Sequence, residues 1–256
     1  MQFRLIDTGY NNAAMNMAID EALLESKLPV LRVYQWKPAA LSLGYFQNIR
    51  DINLKECKKR NVDIVRRITG GKTVLHDKEL TYSFIIDEKS MPKSVIESYK
   101  IISKGILHAL KSLGINVSMK KSVKKNKNKS AVCFNEPSYY EIVVNGKKIV
   151  GSAQTRRKGK LLQHGSILLD VDYDKLISLF NMGNKEEIIK LSKQRITSIK
   201  KFNKKISLEK IKKYLKQGFE KNLKVKLFDD ELTDNEIKLA KKLAKDKYST
   251  KKWNLK

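Results

Sequence analysis

The chain has 256 residues, of which 41% are hydrophobic, and 54 lysines and arginines against 27 acidic residues give a formal net charge of +27. This length and hydrophobic content allow one large buried core or two modest ones. The charge predicts a positive surface potential that favours acidic partners, although a lysine-rich genome would give the same excess without any function. Lysine greatly outnumbers arginine, which argues against base recognition through paired guanidinium contacts.

The cysteines and the N-terminal residues are informative about the cellular compartment of the protein. The two cysteines, Cys57 and Cys133, have no spacing typical of a metal or redox motif, so neither a disulfide framework nor a structural zinc site is expected. The opening MQFRLIDTGYNN lacks a basic stretch followed by an apolar one, and no apolar run is long enough to cross a bilayer. The sequence therefore predicts a cytoplasmic protein with no membrane partner.

Apolar residues at helical spacing predict a first helix that begins at Asn12, with Asp20 and Glu21 on its outer side. Two strands, LRVYQWKP and ALSLGYF, are expected on either side of a turn at Lys37 and Pro38. A short helix over residues 54–60 and the strands DIVRR and TYSFII follow.

In the second half, a long helix is predicted from Pro92 to Gly114, and the basic tract 120–130 is expected to be a mobile loop. The Asn-Gly in YYEIVVNGKKIVGSAQ predicts a β-hairpin, and a second turn at 157–159 adds a third antiparallel strand. Charged helices and a short strand, VKLF, follow Asp172. Irregularly mixed strands and helices predict an α+β fold. We expect one domain over 1–256, with a core of about 1–200 and a C-terminal helical segment over 201–256.

The stretch RRITGGKTVLHDKELTYSF invites comparison with phosphate-binding loops. It lacks the first glycine of a P-loop, the run after GGKT looks extended instead of helical, and it does not match the dinucleotide-binding pattern. The two glycines would still let the backbone approach a ligand closely, and basic residues nearby could meet an anion or a carbonyl. The alternative is a surface hairpin turn with incidental basic residues. The residues concerned are Arg66, Arg67, Gly70, Gly71, Lys72 and His76.

Cys133 lies in SAVCFNEPSYY, where the basic tract meets the hairpin. Positive surroundings favour the thiolate, which is the form that attacks an acyl donor. A free cysteine is more often a buried filler, which is how we interpret Cys57.

Histidines and lysines supply further candidates. His76 and His164 adjoin strand-like runs and could face a cleft, whereas His108 has the position of a structural residue on the long helix. No third ligand with suitable spacing joins them, so no metal site is expected. Lys147 and Lys148 fall on opposite faces of a strand, so one of them can point inward as a cleft cation; the alternative is a pair of solvated turn lysines.

Taken together, these stretches resemble the lipoate and biotin protein ligase superfamily over nearly the whole chain. RRITGGKTVLHD is similar to its arginine-arginine, glycine-rich, histidine-aspartate motif, and NGKKIVGSAQ with LLQHGSILLD is similar to its lysine and His-Gly strands. LRVYQWKPAALSLGYFQ resembles its N-terminal strand pair, and KYSTKKWN resembles its C-terminal signature. The resemblance implies a biotin/lipoate protein ligase-like catalytic domain, with a mixed, mostly antiparallel sheet flanked by helices.

Within the superfamily, three details resemble the cysteine-dependent octanoyltransferases of the LipM type more than the ATP-using lipoate ligases. HDKELTYS stands where ligases usually carry an Asn-rich version, Lys72 replaces the third glycine, and CFNEPSYYE places Cys133 at the position of the nucleophile.

This resemblance implies a reaction and its participants. Octanoyl would pass from octanoyl-acyl carrier protein to Cys133, and then to a lysine of an apo lipoyl domain or of the glycine-cleavage H protein, without metal or other cofactor and without nucleic acid. Lys148 would be the cleft lysine. The ligase alternative would use ATP and magnesium. The implied substrate-binding residues are Arg66, Gly70, Gly71, His76, Gly151, His164 and Gly165.

Overall fold

The structure, a computed structural model, describes residues 1–121 and 140–256. Cys133 and nearly all of the predicted loop, residues 122–130, lie outside the described residues. Lys120 and Lys121, which were assigned to that loop, belong instead to the end of a strand.

Eight strands form the larger sheet, in the spatial order β11 (Lys226–Asp230), β1 (Gln2–Asn11), β2 (Val30–Trp36), β6 (Glu79–Asp87), β10 (Lys160–Leu168), β9 (Lys147–Arg157), β8 (Tyr140–Val144) and β7 (Ser118–Lys121). The strand β1, next to the edge strand β11, pairs in parallel with β11 and β2, and the other neighbours in this sheet pair antiparallel. The prediction of a mixed, mostly antiparallel sheet is confirmed.

A second, smaller sheet has the order β4 (Asp63–Arg66), β3 (Ala40–Leu43) and β5 (Val74–His76). The pair of strands expected around Lys37 and Pro38 therefore forms, but β2 belongs to the larger sheet and β3 to the smaller one. The turn between them carries the chain from one sheet to the other, and this places the two sheets beside a common space.

Helices cover both faces of the larger sheet. One apolar cluster packs α3 (Val95–Ser112) and α6 (Leu208–Leu223) on one face, and a second packs α1 (Ala13–Ala22) and α7 (Asp234–Leu243) on the other. A third cluster lies under the smaller sheet. Within the part of the chain that the structure describes, no helix combines the length and apolarity needed to cross a membrane. The remaining helices are α2 (Leu54–Lys59), α4 (Tyr173–Ser178), α5 (Lys185–Arg195) and α8 (Lys251–Asn254).

The predicted turns are confirmed by backbone conformation. Asn145 and Gly146 have φ of 49° and 76°, as a two-residue hairpin turn of type I′ requires. Lys158 and Gly159 repeat the arrangement with φ of 52° and 72°. The strands β8, β9 and β10 consequently follow one another as an antiparallel meander.

Three expectations need correction. The Asn12 side chain caps α1 as predicted, but Asp20 is only 1% exposed instead of facing outward, because a buried arginine of β2 pairs with it. Pro92 precedes the long helix, whose cap is Ser94. The strands β1 and β7 were not predicted, since neither carries a clean alternation of apolar and polar residues.

Candidate active site

A cavity of about 190 Å³ opens between the two sheets and α1. Part of its wall is apolar or aromatic, formed by Met17, Tyr34, Trp36 and Val74, and these side chains come from α1, β2 and the smaller sheet. The remaining lining residues are Ser42, Arg67, Gly71, Lys72, His76, Thr81, Lys148, Gly151, Ser152, Ala153, His164, Gly165 and Ser166. The cavity therefore combines a partly apolar surface with a ring of polar groups.

Arg67 holds the glycine turn that forms one side of the cavity. Its side chain is buried, and a guanidinium has five N–H donors. Five contacts between Arg67 and described residues match that number, so the guanidinium acts as a clamp for the turn. The acceptors are Thr69 Oγ1 at 3.1 Å, Ser42 O at 2.7 Å, Ser42 Oγ at 3.2 Å, Gly70 O at 2.7 Å and Lys72 O at 2.8 Å.

The turn also depends on glycine itself. Gly71 has φ of +90°, which is the left-handed region that favours glycine. A Cβ atom on Gly44 would lie 1.8 Å from the carbonyl oxygen of Gly71, so the loop after β3 packs backbone to backbone against the turn. Both positions must stay free of side chains for the cavity wall to keep this shape.

One hydrogen-bonded relay runs from Arg67 through His164. Because Thr69 Oγ1 accepts from Arg67 Nε, its own proton is available for His164 Nε2, which is 2.7 Å away. His164 Nδ1 then donates to Asp20 Oδ2 at 2.9 Å. His164 is therefore hydrogen-bonded through both ring nitrogens, and this fixes the orientation of the ring.

Asp20 ends this relay as a buried carboxylate. Arg32 Nη1 lies 2.6 Å from Oδ1, and the hydroxyls of Ser83 and Tyr34 donate to the carboxylate at 2.7 and 2.9 Å. Burial raises the pKa of Asp20, but the Arg32 charge and the hydrogen bonds from His164 and Ser83 outweigh it, and the pKa is lowered overall. The carboxylate is therefore ionised and satisfied.

A second relay runs from Arg67 through His76. Ser42 Oγ accepts from Arg67 Nη1, so it can donate to His76 Nε2 at 2.8 Å, while His76 Nδ1 lies 3.2 Å from Glu79 Oε1. The ring stacks on Trp36 with centroids 4.0 Å apart. Burial lowers the pKa of His76, and the Glu79 carboxylate opposes that effect only in part. The two relays thus converge on Arg67 from opposite sides.

Lys148 is the inward-facing member of the lysine pair. It is 4% exposed and lines the cavity, with its Nζ 2.9 Å from Glu141 Oε1. Lys147 points the other way, and its Nζ donates to the Lys193 carbonyl at 2.9 Å. Strand alternation predicts that the two lie on opposite faces, and the structure shows which one faces the cavity.

Six of the predicted site residues line the cavity, and these are Gly71, His76, Lys148, Gly151, His164 and Gly165. Gly165 has no space for a side chain, because a Cβ atom there would lie 2.4 Å from Ser152 Oγ. Gly70 does not line the cavity, although its carbonyl accepts from Arg67. The position of Cys133 relative to the cavity stays a prediction, since that residue lies outside the described ranges.

Arg66 requires a correction. The sequence assigned it to the pocket, but its buried guanidinium lies among backbone carbonyls on the other side of the strand end, and Arg67 takes the place at the cavity. Alternation along the strand separates the two side chains. The acceptors of the Arg66 side chain are the carbonyl oxygens of Gly44, Tyr45, Gln47, Trp253, Asn254 and Lys256.

Sequence reasoning missed the polar groups that orient the histidines. Asp20 and Glu79 resemble ordinary surface carboxylates, and Thr69 and Ser42 resemble turn and strand residues. An available signal for Asp20 was its position in a helix whose neighbours are nearly all apolar, four residues from Asn16, which also binds Arg32. Among residues 1–121 and 140–256, no group of three or more histidine, cysteine or acidic side chains could hold a metal ion.

The lowered pKa of His76 predicts a pH dependence of stability. The unfolded chain takes up a proton near the usual pKa of 6.5, whereas the folded chain takes it up only at lower pH. Stability is therefore lost as the pH falls below about 6.5, because the unfolded state then binds more protons. Urea unfolding between about pH 7.5 and 5.5 should show a decreasing free energy of unfolding, and His76→Gln should reduce the slope. Equal slopes for the two proteins would contradict this assignment.

Comparisons with known proteins agree with this geometry. A family model described as the lipoyl protein ligase A/B catalytic domain matches residues 12–220. The octanoyltransferase LipM of Brevibacillus brevis is 46% identical, with 99% of each chain covered. The octanoyltransferase LipM of Halalkalibacterium halodurans is 47% identical, with 98% of each chain covered.

A solved structure of a bi-partite lipoate protein ligase and its E2 lipoyl domain, from Thermoplasma acidophilum, has a TM-score of 0.86 at 25% identity. It covers 100% of this chain and 96% of the other. The fold expected from the sequence is thus confirmed by structural likeness, and the family by sequence identity. The chain belongs to the lipoyl protein ligase A/B catalytic domain family and, within it, to the LipM octanoyltransferases.

Proposed function

We propose that this enzyme transfers octanoyl from octanoyl-acyl carrier protein, through a thioester on Cys133, to a lysine of a lipoyl domain or of the glycine-cleavage H protein. The observation that carries the proposal is the buried Lys148 on the wall of a partly apolar cavity, in a chain 46% and 47% identical to two octanoyltransferases. The product would be the octanoylated precursor of a lipoylated protein. We regard residues 1–256 as one catalytic domain.

The chemistry is two successive acyl exchanges. The Cys133 thiolate adds to the carbonyl carbon of the donor thioester, and the intermediate collapses with release of the carrier thiolate, which takes up a proton. The neutral amine of the acceptor lysine then adds to the new thioester, loses a proton and expels the Cys133 thiolate. Formation of the amide makes the second step favourable, and the enzyme returns to its starting state.

Lys148 would either stabilise the carbonyl oxygen of the thioester or activate the incoming amine. Its ammonium group can stabilise the negative charge that develops on the carbonyl oxygen during each exchange. Glu141, at 2.9 Å from Nζ, restrains the lysine in that position. A cation held within a buried cavity has a stronger effect than one in water, because the surroundings screen it less.

The acyl chain would lie against the apolar part of the cavity wall. Met17, Tyr34, Trp36 and Val74 provide this surface, and each buried methylene contributes about 0.8 kcal/mol. The glycine turn, with Gly71 facing the cavity, lets the backbone lie close to the chain. His76 and His164 are held by hydrogen bonds at both ring nitrogens, so their rings keep a fixed orientation at the cavity wall.

A thioester donor is already activated, so this reaction calls for neither ATP nor a metal ion. The ligase alternative would first form an acyl adenylate from ATP. Arg67, whose side-chain N–H groups all have protein acceptors, could not bind a phosphate without releasing the glycine turn. The two transferase relatives are also more similar in sequence than the 25% identical ligase structure.

The charge of +27 fits acidic protein substrates that approach in turn. Complementary charge raises the rate of encounter more than it raises affinity. We place the reaction in the cytoplasm, with no role for nucleic acid or for a membrane.

The nucleophile is tested by mass spectrometry. Purified enzyme incubated with octanoyl-acyl carrier protein should gain the mass of one octanoyl group on the peptide that contains Cys133, whereas Cys133→Ala should gain none. Cys57→Ala is the matched control and should be acylated normally, because Cys57 is buried and the pKa of its thiol is raised to about 11. Undiminished octanoyl transfer by Cys133→Ala would refute the mechanism, and modification of a lipoyl domain by lipoate and ATP alone would support the ligase alternative.

The lysine pair offers a second test. Lys148→Ala should lower kcat for octanoyl transfer by about a hundredfold or more, since a positioned charge at the reacting carbonyl has effects of that size. Lys147→Ala removes the same side chain one residue earlier and should stay within about twofold of wild type. Circular dichroism would establish that both variants are folded. Similar losses in the two variants would mean that the cavity position of Lys148 has no special role.

A further inference from the structure

Three aromatic side chains form a surface group outside the cavity, and we call Tyr45, Phe46 and Trp253 the aromatic platform. Phe46 is 88% exposed, the largest exposed fraction of any aromatic side chain in the described ranges. Its ring meets Tyr45 edge to face at 4.8 Å, and Tyr45 lies 5.8 Å from Trp253. Tyr45 and Trp253 are partly buried, so the platform presents one fully exposed ring beside two half-exposed ones. A large exposed aromatic side chain next to other aromatic rings is typical of a surface that a partner covers.

Cations surround the platform. Lys256 Nζ lies 4.5 Å from the Tyr45 ring centroid and 4.0 Å from that of Trp253, and the Arg157 guanidinium lies 4.9 Å from the Tyr45 ring. Lys247 also contacts Trp253, but it is paired with Glu21 at 2.6 Å. Within residues 1–121 and 140–256, no carboxylate forms an ion pair with Arg157 or Lys256. The platform is thus an aromatic surface bordered by cations.

Arg66 holds together the two backbone segments that carry the aromatic platform. This buried side chain donates to the carbonyls of Gly44, Tyr45 and Gln47 in the loop, and to those of Trp253, Asn254 and Lys256 in the C-terminal segment. The Trp253 indole donates back to the Arg66 carbonyl at 2.8 Å. A surface that is already ordered loses little entropy when a partner binds.

The platform adjoins the cavity wall. The backbone of Gly44 packs against the Gly71 carbonyl, and Gly71 lines the cavity. Phe46 follows two residues later, so its Cα lies within about 7.6 Å of that of Gly44. In addition, Tyr45 N donates to the Thr69 carbonyl at 2.9 Å, and the Thr69 hydroxyl belongs to the His164 relay.

We propose that the aromatic platform is the docking surface for the acidic protein domain that carries the acceptor lysine. The inference rests on the proposed function. A lysine side chain extends roughly 6 Å from its Cα, so the body of the acceptor domain must touch the surface next to the cavity. Aromatic side chains bordered by cations match an acidic surface with one apolar side chain at its centre.

Separate measurement of the two half-reactions tests this surface. Enzyme preloaded with octanoyl is mixed with increasing concentrations of an apo lipoyl domain, and loading from octanoyl-acyl carrier protein is measured independently. Phe46→Ala and Lys256→Glu should raise the half-saturating concentration of the lipoyl domain about tenfold or more, because each removes a central contact. Both should load within about twofold of wild type.

Matched controls are available on another part of the surface. Phe202→Ala removes a second exposed phenylalanine and Lys204→Glu reverses a second exposed lysine, and neither should change transfer. Equal slowing of loading by the platform variants would identify a donor surface and overturn the proposal. An unchanged half-saturating concentration would overturn it as well.

Direct binding separates this proposal from the proposed function. If wild-type enzyme accepts no octanoyl, the transfer chemistry fails, and calorimetry with the apo lipoyl domain then tests docking alone. Weaker binding by Phe46→Ala than by Phe202→Ala would support the platform. Equal binding would overturn it, as would a single-stranded oligonucleotide that binds wild type and not Phe46→Ala while lipoyl-domain binding is unchanged, since stacking aromatics bordered by cations also suit nucleic acid.

Discussion

Two adjacent buried arginines support both the cavity wall and the aromatic platform of this enzyme. Arg66 is 0% exposed and Arg67 4% exposed, and an unpartnered charge at such depth would be very costly. Arg66 is surrounded by six backbone carbonyls, whereas Arg67 binds carbonyl and hydroxyl oxygens around the glycine turn. The two side chains point to opposite sides of the chain at the end of β4. Arg67 therefore orders the glycine turn beside the cavity, and Arg66 orders the two backbone segments that carry the aromatic platform.

This arrangement explains how so basic a protein can enclose a partly apolar cavity. Two of the buried charges near the cavity have counter-charges, Arg32 for Asp20 and Glu141 for Lys148, and each of the two histidines is hydrogen-bonded through both ring nitrogens. Most of the lysines that the structure describes are exposed. In the proposed function they would attract acidic proteins from outside the cavity. In our two proposals, binding of the acyl chain and recognition of the acceptor domain fall on different sides of the same turn.

Local patterns in the sequence predicted most of the elements. Asn-Gly and Lys-Gly turns predicted the meander, and helical spacing predicted α1 and α3. The hydrogen-bond partners of the cavity side chains were harder to predict, because they depend on how the smaller sheet packs on the larger one. Arg66 and Arg67 are chemically identical in the sequence, and only the path of the chain after β4 decides which faces the cavity. Asp20 was likewise misplaced, since its partner Arg32 lies on a strand that would ordinarily carry an apolar residue there.

The central claim is that Arg66 and Arg67 order different parts of the chain. Hydrogen–deuterium exchange of wild type, Arg66→Lys and Arg67→Lys tests it most directly. Lysine keeps the charge but cannot reproduce the forked contacts. We expect Arg66→Lys to raise exchange in residues 44–47 and 253–256 and to leave 70–72 protected, whereas Arg67→Lys should raise exchange mainly in 70–72. Equal increases in both regions for both variants, or none in either, would contradict the account.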